Sequence, residues 1–260
     1  MKLNKIFLFF GITLPISIAM RFLQLFFTVE IKTGFFTTES GNYGILLSVL
    51  IFIIFFATAL FGYFTYKKPE QSPKPNVALS ISSVMLSLSL LYQLFTQHTN
   101  AIPWQLLLLY VSGIATALYF LLFAIAPFLN IKLPSLLTTF PTIYLVTRLI
   151  CDFTSISKLA IISDNVLIIA TYCVMLLFML NFAKLYNLLD TDKNFKKLLA
   201  TGLGSVTLCF TNAIPFFAIN FKTNFGYQHT SVSENITLIF WGLFIITFLL
   251  THFSKKNLEN

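Results

Sequence analysis

The sequence predicts an all-α integral membrane protein, a polytopic bundle of about eight transmembrane helices with both termini in the cytoplasm. Apolar residues make up 57% of the 260 residues and charged residues only 10%. A soluble domain carries about 25% charged residues, so a globule of this composition could not cover its surface in water. Eight apolar runs, each near the roughly 20 residues that a helix needs to cross a bilayer, give the second observation. The whole chain, residues 1–260, is expected to form a single membrane domain.

The eight runs are continuously apolar and lack the alternation of barrel strands, which indicates helices. The predicted spans are Ile6–Phe27, Tyr43–Tyr66, Asn76–Phe95, Trp104–Phe128, Leu133–Cys151, Asp164–Tyr186, Leu198–Ile219 and Asn235–His252.

The fifth run is short and contains Pro134 and Pro141, so a bundle of seven spans is the alternative. Lysine placement distinguishes the two counts, because cytoplasmic loops accumulate Lys and Arg. With eight spans and both ends inside, twelve of the fifteen lysines lie in cytoplasmic segments. Only Lys32, Lys158 and Lys222 then lie outside, so eight spans is the better prediction.

The same placement explains the formal net charge of +8, which would otherwise raise the question of nucleic-acid binding. The lysines mark the cytoplasmic side, and we expect no nucleic-acid partner. The first apolar run is longer than a signal-peptide core and contains Arg21, so it is expected to be a first span. A lipid bilayer is the expected environment.

Arg21 lies in the first predicted span and Arg148 in the fifth, Asp152 follows the fifth span, and Asp164 opens the sixth. Charges at membrane depth are costly to insert and usually mark functional sites. Counting from the cytoplasmic lysines at 1.5 Å per residue places Arg21 and Arg148 roughly 24 Å from the inner boundary. The spacing of Arg148 and Asp152 at i,i+4 puts both on one helix face.

Weaker polar residues follow the same trend towards the outer ends of their spans; they are Gln24, Gln93, Gln105, Asn165 and Asn212. We therefore predict an outward-facing polar pocket, close to neutral, containing Arg21, Arg148, Asp152, Asp164 and Asn212. Several of these residues also have a purely structural interpretation. Arg21 could extend to the headgroups, Asp164 could cap its helix, and Arg148–Asp152 could be a structural ion pair. Pro215 could kink the seventh span and free a carbonyl near Asn212.

The pocket predicts a solute-binding or transport-like protein whose ligand is a small zwitterion or anion. The alternative is a non-catalytic membrane subunit or sensor that docks a partner membrane protein. The sequence contains no metal-ligand spacing, nucleophile motif or phosphate loop, so an enzyme is not predicted and neither is a cofactor or a metal.

Two segments carry a resemblance to known sequences. Gln24–Phe36, with Thr33-Gly34 as its turn, and Thr147–Ile150 resemble a group of uncharacterised multipass membrane proteins of AT-rich bacteria. The resemblance implies a bacterial plasma membrane and no particular activity. Phe35 and Phe36 are expected to re-enter the interface or to cover the outer pocket.

Overall fold

The computed structural model describes residues 2–30, 36–37, 40–65, 76–96, 103–129, 131, 133–156, 163–187, 191–223 and 231–253. Within them the chain forms eight α-helices. Their bounds are α1 Lys2–Phe27, α2 Gly41–Thr65, α3 Val77–Thr96, α4 Pro103–Leu129, α5 Phe140–Ile156, α6 Ser163–Tyr186, α7 Thr191–Thr223 and α8 Val232–Phe253.

All eight helices described are long and apolar enough to cross a membrane. The prediction of an all-α polytopic bundle is therefore confirmed, with eight spans rather than seven among the described residues. Helices suit these sequences because a helix satisfies its backbone polar groups internally, where lipid offers them no partner.

The structure at the start of the fifth span explains how a run that contains two prolines can still be long enough to cross a membrane. A 3-10 turn, Ser135–Thr139, follows Pro134 and leads directly into α5. Pro141 lies in the first turn of α5, where its missing N–H has no helical partner to lose. Turn and helix together supply a candidate span of 20 residues, Ser135–Thr154.

Helix α7 is the centre of the bundle. In the most apolar part of α7, 83% of the residues are buried, whereas the figure for α1 and for α2 is 22%. It packs against α1, α2, α6 and α8, while α3 packs between α4 and α8, and α5 packs between α4 and α6. The chain thus surrounds its seventh span, and α1 and α2 lie at the periphery.

Hydrogen bonds along the full length of α3 tie it to α8. Asn76 Nδ2 donates to Thr251 Oγ1 at 2.8 Å, and Ser82 Oγ lies 2.8 Å from Thr247 Oγ1. Further along, Thr237 Oγ1 lies 3.0 Å from the Ser89 carbonyl oxygen, to which it donates. Hydrogen bonds between side chains and backbone hold helices together where lipid gives no hydrophobic drive for their association.

Aromatic rings fill the interior between α4, α6 and α8. Phe244 is fully buried, and its ring centroid lies 4.9 Å from Phe120 and 5.9 Å from Phe123. Phe182 and Phe248 complete its surroundings, with centroids at 6.3 and 6.2 Å. Such tilted and edge-to-face arrangements are the favoured geometry for aromatic pairs. The high phenylalanine content of the sequence therefore serves packing inside the bundle as well as contact with lipid.

Candidate functional site

Buried polar residues collect at one end of the bundle, which we call the polar end. It is the end at which α1, α3, α5 and α7 finish and α2, α4, α6 and α8 begin. Contacts across helices show the arrangement: Gln24 of α1 reaches Gly44 of α2, and Arg148 of α5 reaches Glu234 of α8. Polar residues that the sequence places towards one end of their spans therefore also contact one another across helices.

The strongest feature of the polar end is an ion cluster of Arg148, Asp152 and Glu234. Arg148 Nε donates to Asp152 Oδ2 at 3.0 Å, and Arg148 Nη2 donates to Glu234 Oε1 at 2.8 Å. The side chains of Arg148, Asp152 and Glu234 are exposed by only 3%, 14% and 6%. One guanidinium is thus shared between two carboxylates that come from different helices.

Two tyrosines surround the Arg148 cluster. Tyr172 of α6 donates its hydroxyl to Glu234 Oε1 at 2.9 Å, and its ring lies 5.5 Å from Arg148 Cζ. A guanidinium over an aromatic face is a favourable cation–π arrangement, more so where water is excluded. Tyr144, one turn before Arg148 on α5, is also buried beside the cluster. Three helices therefore contribute to one compact polar site.

The interaction of Arg148 with Asp152 follows from their spacing of four residues on α5, which the sequence predicted. Asp152 lies within α5, because that helix extends to Ile156 and so passes the predicted end of the span at Cys151. The Arg148–Asp152 pair is confirmed. Glu234, the second carboxylate that binds Arg148, was not predicted.

Glu234 was missed because it was placed in an outer loop, before a span predicted to begin at Asn235. The structure corrects this boundary, since α8 begins at Val232 and carries Glu234 in its first turn. A signal was present: Ser231 and Glu234 have the S-x-x-E spacing of a capping box. Ser231 Oγ accepts from the Glu234 N–H at 3.1 Å, while the carboxylate turns to Arg148 and Tyr172.

The second polar cluster lies between α1, α2 and α7. Arg21 is fully buried, donates from Nη1 to Gln24 Oε1, and lies with Cζ 5.3 Å from the ring centroid of Phe216. Gln24 Nε2 in turn donates to the Gly44 carbonyl oxygen at 2.8 Å and to Ser48 Oγ at 2.6 Å. The Arg21 side chain therefore points into the bundle, which excludes the interpretation that it extends to the headgroups.

The chain after α1 folds back over this second cluster. Val29 and Phe36 form an antiparallel bridge, and the Thr37 N–H donates to the Thr28 carbonyl oxygen at 2.9 Å. Phe36 packs with an apolar group that includes Phe216, the residue beneath Arg21. Phe36 therefore lies beside the Arg21 cluster, and the expectation that it covers an outer pocket stays a prediction. Phe35 lies outside the described residues.

Gly44 is where this covering segment touches α2. A Cβ at this position would overlap ring atoms of Phe36 and lie 2.9 Å from Thr28 Oγ1. We expect Gly44→Ala to displace Phe36 and to lower the free energy of unfolding by about 1–3 kcal/mol, the usual cost of overpacking. Thermal unfolding in detergent measures this loss of stability.

Gly41→Ala is the matched control for Gly44→Ala. Its Cβ would lie 3.5 Å from Phe36 Cβ, an ordinary contact. Equal melting temperatures for the two variants would contradict the placement of Phe36 against Gly44.

Asn212 belongs to α7 and faces α6. Its Nδ2 donates to Thr171 Oγ1 at 2.6 Å and to the Leu167 carbonyl oxygen at 3.2 Å. The Thr171 hydroxyl donates to that same carbonyl oxygen, so it can only accept from Asn212. Asn212 Oδ1 is consequently directed elsewhere and is buried with no hydrogen-bond partner among the residues that the structure describes. Helix α7 continues through Pro215 to Thr223.

The predicted pocket residues are thus distributed over several helix contacts. Arg148 and Asp152 lie together, Arg21 lies in the second cluster, and Asn212 lies at the α6–α7 contact. Asp164 is in the first turn of α6, and its side chain is outside the described residues. A single pocket containing all five residues stays a prediction.

Two carboxylates and one guanidinium in a buried site have direct chemical consequences. Removing these charges from water is expensive, and mutual attraction repays the cost only when geometry and hydrogen bonds are good. The described contacts of the Arg148 cluster meet this condition in part, since one guanidinium donates to both carboxylates at 2.8–3.0 Å.

Comparison with known proteins adds no further constraint on the site. No family model matches the chain, and neither a curated protein nor a solved structure matches it. The helix count and the Arg148 cluster therefore carry the functional argument: the chain has the architecture of a multipass membrane protein with a buried ionic site at one end.

Proposed function

We propose that the protein is a solute-binding, transport-like membrane protein that takes a small zwitterion at the Arg148 cluster. The observation that carries the proposal is the buried guanidinium of Arg148 held between Asp152 and Glu234. Ionisable groups inside membrane spans are rare and commonly line solute or ion pathways. The donation from Tyr172 to Glu234 adds a third helix to the site.

The chemistry of the cluster suits a zwitterion better than a simple anion. Arg148 already donates to two carboxylates, so an added anion would have to compete with both of them. A ligand with an ammonium group would pair with a carboxylate, and its own acidic group could then share the guanidinium. Charge-assisted bonds of this kind are about twice as strong as neutral ones.

We further propose that the protein lies in a bacterial plasma membrane with both termini in the cytoplasm. The support for the orientation is the lysine distribution, in which twelve of fifteen lysines fall on one side of eight spans; the kind of membrane rests on the resemblance of Gln24–Phe36 and Thr147–Ile150 alone. This orientation makes the polar end outward-facing, so a solute from outside would reach the Arg148 cluster without crossing the apolar half of the bundle.

A thermal-shift measurement on the purified protein tests the function. Glycine, choline and acetate serve as the zwitterionic, cationic and anionic probes at equal ionic strength. We expect glycine to raise the melting temperature of the wild-type protein and to lose this effect in Glu234→Gln, which removes one of the two carboxylates bound to Arg148 but keeps an acceptor for Tyr172.

Glu30→Gln is the matched control, since it makes the same chemical change at an exposed carboxylate near the end of α1. It should keep the response to glycine. Stabilisation by acetate alone would favour an anion site instead, and a wild-type protein that responds to none of the three probes would contradict the proposal.

A further inference from the structure

A groove runs along the outside of the bundle between α3 and α4, at the end opposite the polar end. Its volume is about 390 Å³. The walls are formed mainly by aliphatic and aromatic side chains, which are Val77, Ile81, Val84 and Met85 of α3 and Ile125 and Phe128 of α4. Five of these six side chains are exposed, so the groove opens outward, towards the surrounding lipid.

Two small residues give the groove its depth. Ser80 of α3 and Ala124 of α4 also line it, so neither helix fills the space between them with a long side chain there. The Ser80 hydroxyl donates to the Asn76 carbonyl oxygen, one turn earlier on the chain, at 3.4 Å. Because this hydroxyl is bonded along its own helix, the groove offers an occupant mainly apolar contact.

The groove has about the depth of one half of a bilayer. It begins where α3 begins, at Val77, and where α4 is about to end, at Phe128. From Val77 to Met85 the helix rises by about 12 Å. Half of the roughly 30 Å hydrocarbon core is about 15 Å, the depth available to one acyl chain. The groove therefore matches an acyl chain that enters from the membrane boundary.

Basic residues lie at this end of the bundle. Among the described residues it carries five exposed lysines, Lys5, Lys184, Lys193, Lys196 and Lys197. In the sequence, Lys74 lies three residues before Val77 and Lys132 four residues after Phe128, and both lysines are outside the described residues. Lysines next to a membrane surface attract anionic lipid headgroups. The charge at this end therefore complements an acidic headgroup above an apolar groove.

We infer that the α3–α4 groove binds one acyl chain of an anionic phospholipid whose headgroup lies among these lysines. A chain in a groove touches two helices at once and gains more dispersion contacts than a chain on a convex helix face. The headgroup attraction adds a preference over zwitterionic phospholipids, so this lipid stays bound when bulk lipid is removed. The groove lies at the other end of the bundle from the Arg148 cluster, and the inference does not rest on the proposed function.

A photoreactive lipid locates the site on the wild-type protein. The probe is phosphatidylglycerol with a diazirine in one acyl chain, present as a minor component of phosphatidylcholine bilayers. We expect adducts concentrated at residues 81–85 and 125–128, and unlabelled phosphatidylglycerol should suppress them. Adducts spread evenly over the exposed faces of the helices, or labelling that unlabelled phosphatidylglycerol leaves unchanged, would overturn the inference.

A thermal-shift measurement in a neutral detergent tests the headgroup preference. Phosphatidylglycerol should raise the melting temperature by about 2–4 °C more than phosphatidylcholine with the same acyl chains, the shift that the attraction of one lysine produces in a chain of this size. Because salt screens exposed charges, the difference should shrink in 1 M salt, where the screening length is about 3 Å. Equal shifts with the two lipids at low salt would contradict an anionic ligand.

Val84→Trp fills the groove and should abolish the shift produced by phosphatidylglycerol. Val111→Trp is the matched control, because it makes the same change at an exposed position of α4 that does not line the groove, and it should keep the shift. A Val84→Trp protein that responds like Val111→Trp would overturn the site. A wild-type dimer that Val84→Trp converts to a monomer would place a second copy of the chain in the groove and would likewise overturn it.

Discussion

Arg148→Met is expected to lower the free energy of unfolding by about 3–5 kcal/mol, the cost of breaking a buried ion pair by removing one partner. The substitution leaves Asp152 and Glu234 buried without the guanidinium to which both are bonded. Unfolding followed by intrinsic fluorescence in a mild detergent measures the loss. Lys184→Met is the matched control, because it removes an exposed cation from the last turn of α6 and should change stability by about 0.5 kcal/mol or less.

A triple variant separates the cost of unbalanced charge from the cost of lost packing. Arg148→Met combined with Asp152→Asn and Glu234→Gln removes all three charges and keeps an acceptor for Tyr172. We expect it to recover most of the stability, since neutral replacement of a buried ion cluster is often harmless. A triple variant as unstable as Arg148→Met would contradict the charge explanation.

The triple variant also addresses the alternative function. Recovered stability in a protein whose wild-type form responds to no solute would favour the non-catalytic membrane subunit or sensor. In that case the polar groups of α5, α6 and α8 stabilise helix contacts and nothing else.

Phe244→Ala is expected to produce the second large effect. Phe244 is fully buried among four other phenylalanine rings. Lipid is as apolar as the bundle interior, so moving the phenyl ring between them changes the free energy little. The cost of truncation is therefore mainly that of the cavity left behind. At about 24 cal/mol per Å³ and a cavity of about 100 Å³, the free energy of unfolding should fall by about 2.4 kcal/mol.

The control for Phe244→Ala is Phe95→Ala, which truncates a ring that is 81% exposed at the end of α3. Both variants lose the same atoms, but only Phe244→Ala leaves an empty space inside the bundle. Equal losses of stability in the two variants would contradict the aromatic interior between α4, α6 and α8.

The fold was predictable because hydropathy over about 20 residues directly measures whether a helix can cross a bilayer. Even the fifth span, with its two prolines, crosses as a 3-10 turn followed by α5. Helix ends were predicted less well. Apolar runs mark the part of a helix within the hydrocarbon, whereas α7 begins at Thr191, seven residues before its predicted span.

The candidate site was predictable only in part, because counting residues along a span gives height in the membrane and not position around the bundle. Counting placed Arg21 and Arg148 at one level in the membrane. Arg21, however, lies against α7 and is linked to α2 through Gln24, whereas Arg148 contacts α6 and α8. The local pair with Asp152 was predictable from its spacing. The contact between Arg148 and Glu234, which are 86 residues apart, could be recognised only from the arrangement of the helices.

The hydrogen bonds between α3 and α8 have a consequence for the order of events during synthesis. Ser82 and Asn76 enter the membrane long before Thr247 and Thr251 have been translated, and Arg148 likewise precedes Glu234. Before α8 is made, Ser82 has its bond to the Leu79 carbonyl oxygen within α3, whereas Arg148 lacks Glu234. The arrival of α8 therefore completes hydrogen bonds with α3, α5 and α6 that the earlier part of the chain lacks until this last described helix is made.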